Sequence, residues 1–357
     1  MTMNKTVLSI AFAAMAASGF TNVAAAQATS GTSTASPDAK AETESLRQQL
    51  AAQKALNEHL RRRVAELEHE LGSDAHGATS PGALDPTTAR KPVEPDAGQP
   101  STAIEEALVS KGLVLLPSGT FRVTPGFAWE HTGTGESAFD GYAAGLSIEA
   151  GLPWDLAVTV AVPYLWARDS ALGNNGGIGD VSVTLSKKLA RETDAMPSLV
   201  AHVGYTHDTG ADPYALVPIG FGYPSWRAEL AAVKRFDPVV LYGNVSYRYS
   251  LPKTIELDSF QGRVAPGASV GVGAGITLAA TPGIALDAGV NFYFVAPTTY
   301  ESAGIASYSD PRQTVGYLSL GASFKLAKDL SLIVNAYPGV TRDASDLVLS
   351  VSLPYRF

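Results

Sequence analysis

The carboxy-terminal nine residues alternate strictly between apolar and polar side chains. The apolar positions are Leu349, Val351, Leu353, Tyr355 and Phe357, and each intervening position is polar or proline. A period of two predicts a β-strand with one apolar and one polar face. Such a strand fits either the closing strand of a barrel or an edge strand of a soluble sandwich.

The same alternation recurs from Thr120 to the end of the chain and predicts twelve strands. Short connections near Pro153–Asp155 and Phe236–Pro238 alternate with longer ones near Gly133–Phe139 and Leu251–Arg263. An even strand count with alternating short and long connections is typical of an outer-membrane β-barrel, with short periplasmic turns and long outer loops. The pattern therefore predicts an all-β fold, an antiparallel transmembrane β-barrel of about 12 strands, over residues 102–357.

Aromatic residues strengthen the barrel interpretation because they cluster toward strand ends on the apolar parity, where rings meet lipid headgroups. Leu353, Tyr355 and Phe357 resemble the assembly signal of bacterial outer-membrane barrels, so we expect the barrel-assembly machinery and outer-membrane lipid as partners. A soluble sandwich would show the same alternation. It would not predict the terminal Phe, the rhythm of the connections and a signal peptide together.

The amino terminus predicts export. Lys5 begins a positive region, Val7–Met15 is apolar, and Ala24–Ala26 forms a small-residue cleavage site, so residues 1–26 read as a secretory signal peptide. Residues 27–41 are small and polar and predict a disordered lead-in.

A period of seven replaces these patterns over residues 42–72 and predicts a coiled-coil helix that self-associates in the periplasm. An amphipathic helix lying on the barrel or a membrane is the alternative. Residues 73–101 are rich in Pro and predict an extended linker, and Ile104–Lys111 predicts one or two helical turns. The predicted coiled-coil seam consists of Leu46, Leu50, Gln53, Asn57, Leu60, Val64, Leu67 and Leu71.

Composition narrows the function classes. The 357-residue chain contains no cysteine, which excludes disulfides, thiol catalysis and thiolate metal sites. Its formal net charge of −8, without a basic stripe, argues against a nucleic-acid partner. The absence of a long apolar run argues against a helical membrane protein but is compatible with a barrel.

The polar parity of the predicted strands would line the lumen. Ionisable groups there either pair into a network that blocks the bore or line a watery path that selects solutes. The lumen-lining candidates are Arg122, Glu149, Asp180, His202, Arg227, Glu229, Arg248, Asp287 and Lys325.

One predicted wall of the lumen carries Gly271, Gly273 and Gly275 and is therefore bare. It leaves room for a bore or for a large facing side chain, for which Tyr293 or Tyr317 are the candidates.

Catalytic and metal-binding signals are weak. His207–Asp208 and Glu130–His131 are local acid–histidine pairs, but no nucleophile motif accompanies them, so we expect no enzyme. The aspartates at 208, 212 and 310 fit no ligand spacing, and the glycines at 176–179 read as a turn because no helix follows. We expect neither a cofactor nor a metal.

Leu113–Thr120 and the run Gly176–Leu189 resemble the phenol-degradation meta-pathway outer-membrane family. The resemblance covers about residues 102–357 and implies an outer-membrane barrel linked to uptake of hydrophobic or aromatic compounds. Two functions follow. The first is a channel or porin-like transporter for small solutes. The alternative is a structural or tethering barrel whose coiled coil mediates oligomerisation or cell-wall contact.

Overall fold

The computed structural model describes residues 102–133, 138–210, 217, 219–257, 260–302 and 305–357. The predicted signal peptide, lead-in, coiled coil and linker lie outside these residues and stay predictions. In the described residues, helix α1 (Ala103–Ser110) precedes the strands. No helix in the described part of the chain is both long and apolar enough to cross a membrane.

Fourteen strand segments form one closed antiparallel barrel. They make twelve barrel strands, because β4 continues into β5 and β17 continues into β18, so each of these two pairs counts as one strand. Four further segments, β9, β10, β13 and β14, form a separate small sheet from two long connections. The predicted all-β barrel of twelve strands is confirmed. The strands are β1 (Phe121–Thr132), β2 (Phe139–Leu152), β3 (Leu156–Asp169), β4 (Gly173–Ile178), β5 (Val181–Ala190), β6 (Ser198–His207), β7 (Ser225–Phe236), β8 (Val239–Ser250), β9 (Lys253–Leu257), β10 (Phe260–Ala265), β11 (Ser269–Thr281), β12 (Ile284–Val295), β13 (Thr299–Ser302), β14 (Ile305–Ser309), β15 (Gln313–Lys325), β16 (Ser331–Pro338), β17 (Leu347–Ser352) and β18 (Tyr355–Arg356).

The terminal strand closes the barrel against β1. Phe127 pairs with Val351, and the amide of Phe357 donates to the carbonyl of Phe121 at 2.8 Å. Val351 is 36% exposed, whereas its neighbour Ser352 is 5% exposed, so the apolar parity faces outward. The register deduced from the alternation therefore holds at the seam.

Along every barrel strand, the alternating residues face either the lipid or the lumen. Outward residues such as Leu185 and Val203 are exposed, while inward residues such as Thr277 and Ser319 are fully buried. A small, hydroxyl-rich inward parity is what a narrow lumen can accommodate. The large outward residues form the apolar band that faces lipid tails.

The turn between β2 and β3 holds an exposed tryptophan. Trp154 and Asp155 both have positive φ, 64° and 57°, in a turn that usually selects Asn and Gly. The backbone amide of Lys188 donates to the Asp155 carbonyl at 3.0 Å and holds the turn. Trp154 is 82% exposed at the short-turn end of the barrel, where an amphipathic ring suits the headgroup layer.

The glycine run at 176–179, which the sequence predicts to be a turn, belongs largely to strand β4. Gly176 pairs with Trp166 of β3, and Ile178 pairs with Tyr164. A Cβ at Gly176 would lie 3.1 Å from the Trp166 Cβ, so glycine lets the strand approach the indole closely. The predicted turn is therefore wrong, and the connection between β3 and β4 is residues 170–172.

Because the apolar side chains face lipid, a charged substitution among them should destabilise the barrel by an amount that depends on its depth in the bilayer. Val351→Arg places a guanidinium among lipid tails and should lower the free energy of unfolding in lipid vesicles by about 2–4 kcal/mol. Val340→Arg is the matched control, because Val340 lies in the loop between β16 and β17 and is exposed. The control should cost no more than about 1 kcal/mol. Equal costs at the two positions would contradict the assigned orientation.

Candidate functional site

Helix α1 is a short, capped helix that lies inside the barrel. The Thr102 amide donates to the Glu105 carboxylate at 2.9 Å, and the Glu105 amide donates to the Thr102 hydroxyl at 3.3 Å, which forms a capping box. Ala103, Ala107 and Ala285 pack together, and the Ala103 amide donates to the Pro282 carbonyl. The helix therefore enters beside the β11–β12 turn and lies against the inner wall.

The chain after α1 crosses the lumen at the short-turn end of the barrel. Leu115 packs on Ala157 and Val200, which are inward residues of β3 and β6. At the far side, the Gly119 amide donates to the Gly151 carbonyl and the chain then enters β1. An apolar cluster joins this segment to the wall: Leu108, Val109, Leu113, Val114, Leu116, Ala231, Val233 and Val240. Residues 102–117, which we call the plug, thus occupy the bore.

Arg122 ties the plug to the barrel wall. Its guanidinium donates to the Glu106 carboxylate of α1 at 3.2 Å and to the Val109 carbonyl at 3.3 Å. The same group also pairs with Glu149 of β2. Arg122 is 1% exposed, so these contacts replace water for all three charged groups.

A second polar cluster holds the plug from the opposite wall. The Lys111 ammonium lies 2.9 Å from an Asp287 carboxylate oxygen and 5.2 Å from the centre of the Tyr242 ring. Asp287 also accepts hydrogen bonds from the Tyr242 hydroxyl at 3.2 Å and from the Thr277 hydroxyl at 3.0 Å. Its negative charge is thereby matched on several sides in a buried position.

A small cavity of about 30 Å³ remains between the plug and the wall, lined by Lys111 and Asp287 among others. The plug fills its level of the lumen closely, since Leu108, Leu113 and Leu115 are each at most 6% exposed.

The wall of β6–β8 carries four more of the ionisable candidates, at and above the level of the plug. Arg227 pairs with Glu229 on the same strand, and the Asn244 amide donates to Glu229 at 3.3 Å. Arg248 on β8 stands directly opposite Arg227 in the register. His202 is buried, with its Nδ1 atom 2.8 Å from the Ser186 hydroxyl.

Gly112 explains how the plug passes His202 so closely. It has a φ of +70°, and a Cβ there would lie 3.1 Å from the His202 ring. Glycine meets both requirements, a left-handed backbone and a close approach.

The other two lumen candidates lie near the ends of the barrel. Asp180 sits at the outer end and accepts from the amides of Gly210, Phe221 and Gly222, at 2.9, 3.0 and 3.3 Å. It therefore pins the loop between β6 and β7. Lys325 lies half-buried at the short-turn end of β15.

At the outer mouth, a buried apolar cluster joins the loop between β6 and β7 to the barrel wall. Val217 and Ile219 of this loop pack on inward-facing Phe139 and Leu165 and on alanines of β1–β3, and these four large residues are at most 3% exposed. The small outer sheet covers the mouth from another side, where Ile255 and Val264 pack against Tyr223 of the same loop.

The acid–histidine pairs do not form catalytic arrangements. Glu130 faces inward and accepts a hydrogen bond from Ser345, whereas His131 faces outward and contacts Asp140 at 2.9 Å. His207 stacks on Tyr205 on the outer surface, and Asp208 pairs with Lys253. Within the described residues, no group of three or more His, Cys, Asp or Glu is placed to hold a metal.

The glycine wall is filled by tyrosines and asparagines of the neighbouring strands. Tyr293 lies against Gly271 as predicted, but Tyr317 does not reach this wall and instead bonds to Ser345. Tyr242 lies against Gly275. Tyr317 misses the wall because it stands two strands away, on β15.

The sequence predicted one or two helical turns at Ile104–Lys111, which α1 confirms, but it did not predict that this segment occupies the bore, although two signals for that exist. The first is the capping-box sequence Thr102–Glu105 before residues that are apolar on more than one face. The second is a set of apolar residues on the polar parity near the short turns, where a watery lumen would not need them. This set is Ala157, Val200, Ala231, Val233, Val240 and Ala285.

Comparison with known proteins agrees with the fold. A family model described as "Putative MetA-pathway of phenol degradation" matches residues 146–357. An outer membrane channel from Pseudomonas putida F1 superposes with a TM-score of 0.61 at 15% identity, over 68% of this chain and 97% of that chain. The NanC porin matches with a TM-score of 0.42 at 9% identity, over 66% and 98% of the two chains. The Pseudomonas putida toluene transporter TodX matches with a TM-score of 0.41 at 9% identity, over 72% and 92%. The fold is that of an outer-membrane β-barrel.

The Arg122 contacts predict how firmly α1 is held. Arg122→Ala leaves Glu106 and Glu149 buried without their cation, so the free energy of opening α1 should fall by about 3–5 kcal/mol. Hydrogen exchange of the α1 amides in the folded barrel measures this directly. Arg191→Ala is the control, because that guanidinium is 65% exposed and 3.5 Å from Asp155. It should leave α1 exchange unchanged, and unchanged protection in Arg122→Ala as well would refute the role of Arg122.

Proposed function

The chain belongs to the family of the phenol-degradation MetA pathway, and from that premise we propose that it is an outer-membrane channel for small hydrophobic or aromatic solutes. In the described state the plug closes the channel. Solute passage then requires residues 102–117 to leave the bore.

The observation that carries this proposal is the nature of the obstruction. A separate segment blocks the lumen, while Ala157, Val200, Val233 and Ala285 of the wall are too small to meet across it. Removing the plug would therefore leave a space lined by small side chains. A barrel built only for mechanical support could fill its lumen with large wall side chains instead.

The contacts of the plug are consistent with a closure that can be released. The plug rests on three apolar clusters and two polar anchors, Glu106 on Arg122 and Lys111 on Asp287. Glu149 would still pair with Arg122 after release, and Tyr242 and Thr277 would still bond to Asp287. The wall thus keeps a partner for each of its buried charges when α1 departs.

The choice of solute rests on the family and on the mixed character of the lumen. The matching family model is described by phenol degradation. The lumen combines apolar wall residues such as Val200 and Val233 with polar groups such as Arg227 and Glu229. Phenol-like solutes combine an apolar ring with a polar group, so they match both kinds of wall residue once the plug has left the bore.

The alternative is a structural or tethering barrel, with which a closed bore is also compatible. The predicted coiled coil at 42–72 would then join copies of the chain or reach the cell wall from the periplasm. In the sequence the coil precedes the plug, with the 73–101 linker between them. We therefore include in the proposal a homo-oligomer formed through the coil.

Single-channel recording in planar bilayers tests the channel. The wild type should open rarely, and Glu106→Gln combined with Lys111→Gln should raise the open probability about tenfold or more. Each substitution weakens a charge-assisted hydrogen bond, and a tenfold change corresponds to about 1.4 kcal/mol.

The matched control is Glu256→Gln with Lys253→Gln, which makes the same two changes on β9 of the outer sheet. It should leave the open probability at the wild-type level. If neither the wild type nor the plug variant conducts, the barrel is not a channel, and the structural alternative stands.

A further inference from the structure

A row of three aromatic rings lies on the lipid-facing side of β1–β3, near the outer ends of these strands. Trp129 pairs with Tyr142 in the register, and Tyr142 pairs with Trp166. All three belong to the outward parity, like Phe127, which is 39% exposed. We call Trp129, Tyr142 and Trp166 the ring row. Its position near the strand ends is that of an aromatic belt at the membrane interface.

The rings around Trp166 pack against one another. The Tyr142 and Trp166 rings are stacked, with centroids 5.2 Å apart and an interplanar angle of 7°. Phe127 and Tyr164, one row nearer the membrane centre, have ring centroids 5.9 and 6.2 Å from that of Trp166. On the other side, glycine lets the strand approach the indole, because a Cβ at Gly176 would lie 3.1 Å from the Trp166 Cβ. This part of the wall therefore offers the lipid a contiguous aromatic surface.

One row further out, the same three strands carry ionisable side chains. His131 pairs with Asp140, and Asp140 pairs with Arg168, again on the outward parity. This row lies two residues beyond the ring row on each strand, which is about 7 Å at the rise of a β-strand. Because aromatic belts mark the border between acyl chains and headgroups, the outer row stands at the level of the lipid phosphates.

Asp140 and Arg168 differ in what they contact. The Oδ1 atom of Asp140 accepts from the Trp129 indole at 3.1 Å and lies 2.9 Å from Nδ1 of His131. The Asp169 carboxylate, next to Arg168 in the chain, accepts from amides of its own loop. Arg168 is exposed, and among the described residues its guanidinium has no hydrogen-bond or ion-pair partner. This guanidinium is therefore available to a ligand at the membrane surface.

The barrel has a second group of outward rings, on β6 and β7, which serves as an internal comparison. Tyr205 and Trp226 pair in the register, with ring centroids 4.8 Å apart. Lys253, at the start of β9 on the same end of the barrel, lies 2.6 Å from an Asp208 carboxylate oxygen. The cation at this second group is thus already paired, in contrast to Arg168.

We propose that Arg168 and the ring row form a binding site for a phosphorylated glycolipid of the outer leaflet. A planar guanidinium holds a phosphate through two parallel hydrogen bonds. The rings below it contact the sugar and the first carbons of the acyl chains, since indole and phenol rings combine an apolar body with a polar edge. The site lies at the outer end of the barrel, where phosphorylated glycolipids are the main lipid of such membranes. It lies outside the bore and does not depend on the channel.

Native mass spectrometry of the full-length barrel with diphosphorylated lipid A, in a neutral detergent, tests the site. The dissociation constant of the first lipid A molecule should rise about fivefold in Arg168→Gln, as expected for loss of one cation at an anionic lipid surface. Arg168→Lys keeps the charge but loses the planar fork, so its affinity should fall between those of the wild type and Arg168→Gln. Trp166→Leu keeps an apolar side chain but loses the ring, and it should also weaken binding.

Lys253→Gln is the matched control, because it removes a cation that Asp208 already pairs at the second group of rings. It should leave lipid A binding unchanged. Lipid A without its phosphates should bind the wild type and Arg168→Gln equally, and phosphatidylglycerol should bind the wild type more weakly than lipid A does.

Three results would overturn the inference: wild-type affinity in Arg168→Gln, an equal loss of affinity in Lys253→Gln, or equal affinity of the wild type for phosphatidylglycerol and lipid A. The heat-induced mobility shift of folded barrels in gels verifies that each variant is folded. Because the measurement involves no transport, a negative result refutes the lipid site and leaves the channel to its own test.

Discussion

Closure of the sheet by β17 on β1 is the constraint on which the rest of the structure depends. Once the strands are joined into a closed barrel, the residues of each strand alternate, so that one set must face the lumen and the other set must face lipid. An inward charge can no longer reach bulk water by rotating outward, so it needs a partner within the bore. Arg122 and Asp287 meet that need through the plug as well as through the wall.

This constraint explains why the plug and the wall are complementary. Apolar inward residues such as Val233 and Val240 would gain nothing in a water-filled pore, but they bury the apolar side chains of residues 102–117. The polar anchors then fix the plug in one position, since each buried charge is matched at a specific place. Packing of apolar side chains holds the plug in the bore, and the ion pairs determine where in the bore it sits.

The barrel could be predicted from the sequence because the alternation repeats twelve times and every repeat indicates the same fold. A slip of one residue at Val351 would have reversed the whole strand, and the terminal aromatic residue limits such slips. The lumen candidates follow from the same parity. Their partners could not be predicted, because Arg122–Glu106 joins a strand to a helix of eight residues whose position inside the barrel no sequence pattern indicates. The β4 strand was missed for a related reason, since its glycines signal a turn locally and only pairing with Trp166 makes them extended.

The central claim is that α1 closes the bore and must move for solutes to pass. The chain has no cysteine, so Ala107→Cys with Ala285→Cys adds one defined pair between residues that pack together. Single-channel recording of this double variant, before and after reduction, tests the claim most directly. The account predicts a silent barrel when the pair is oxidised and openings that return on reduction. The same conductance in both redox states would contradict it.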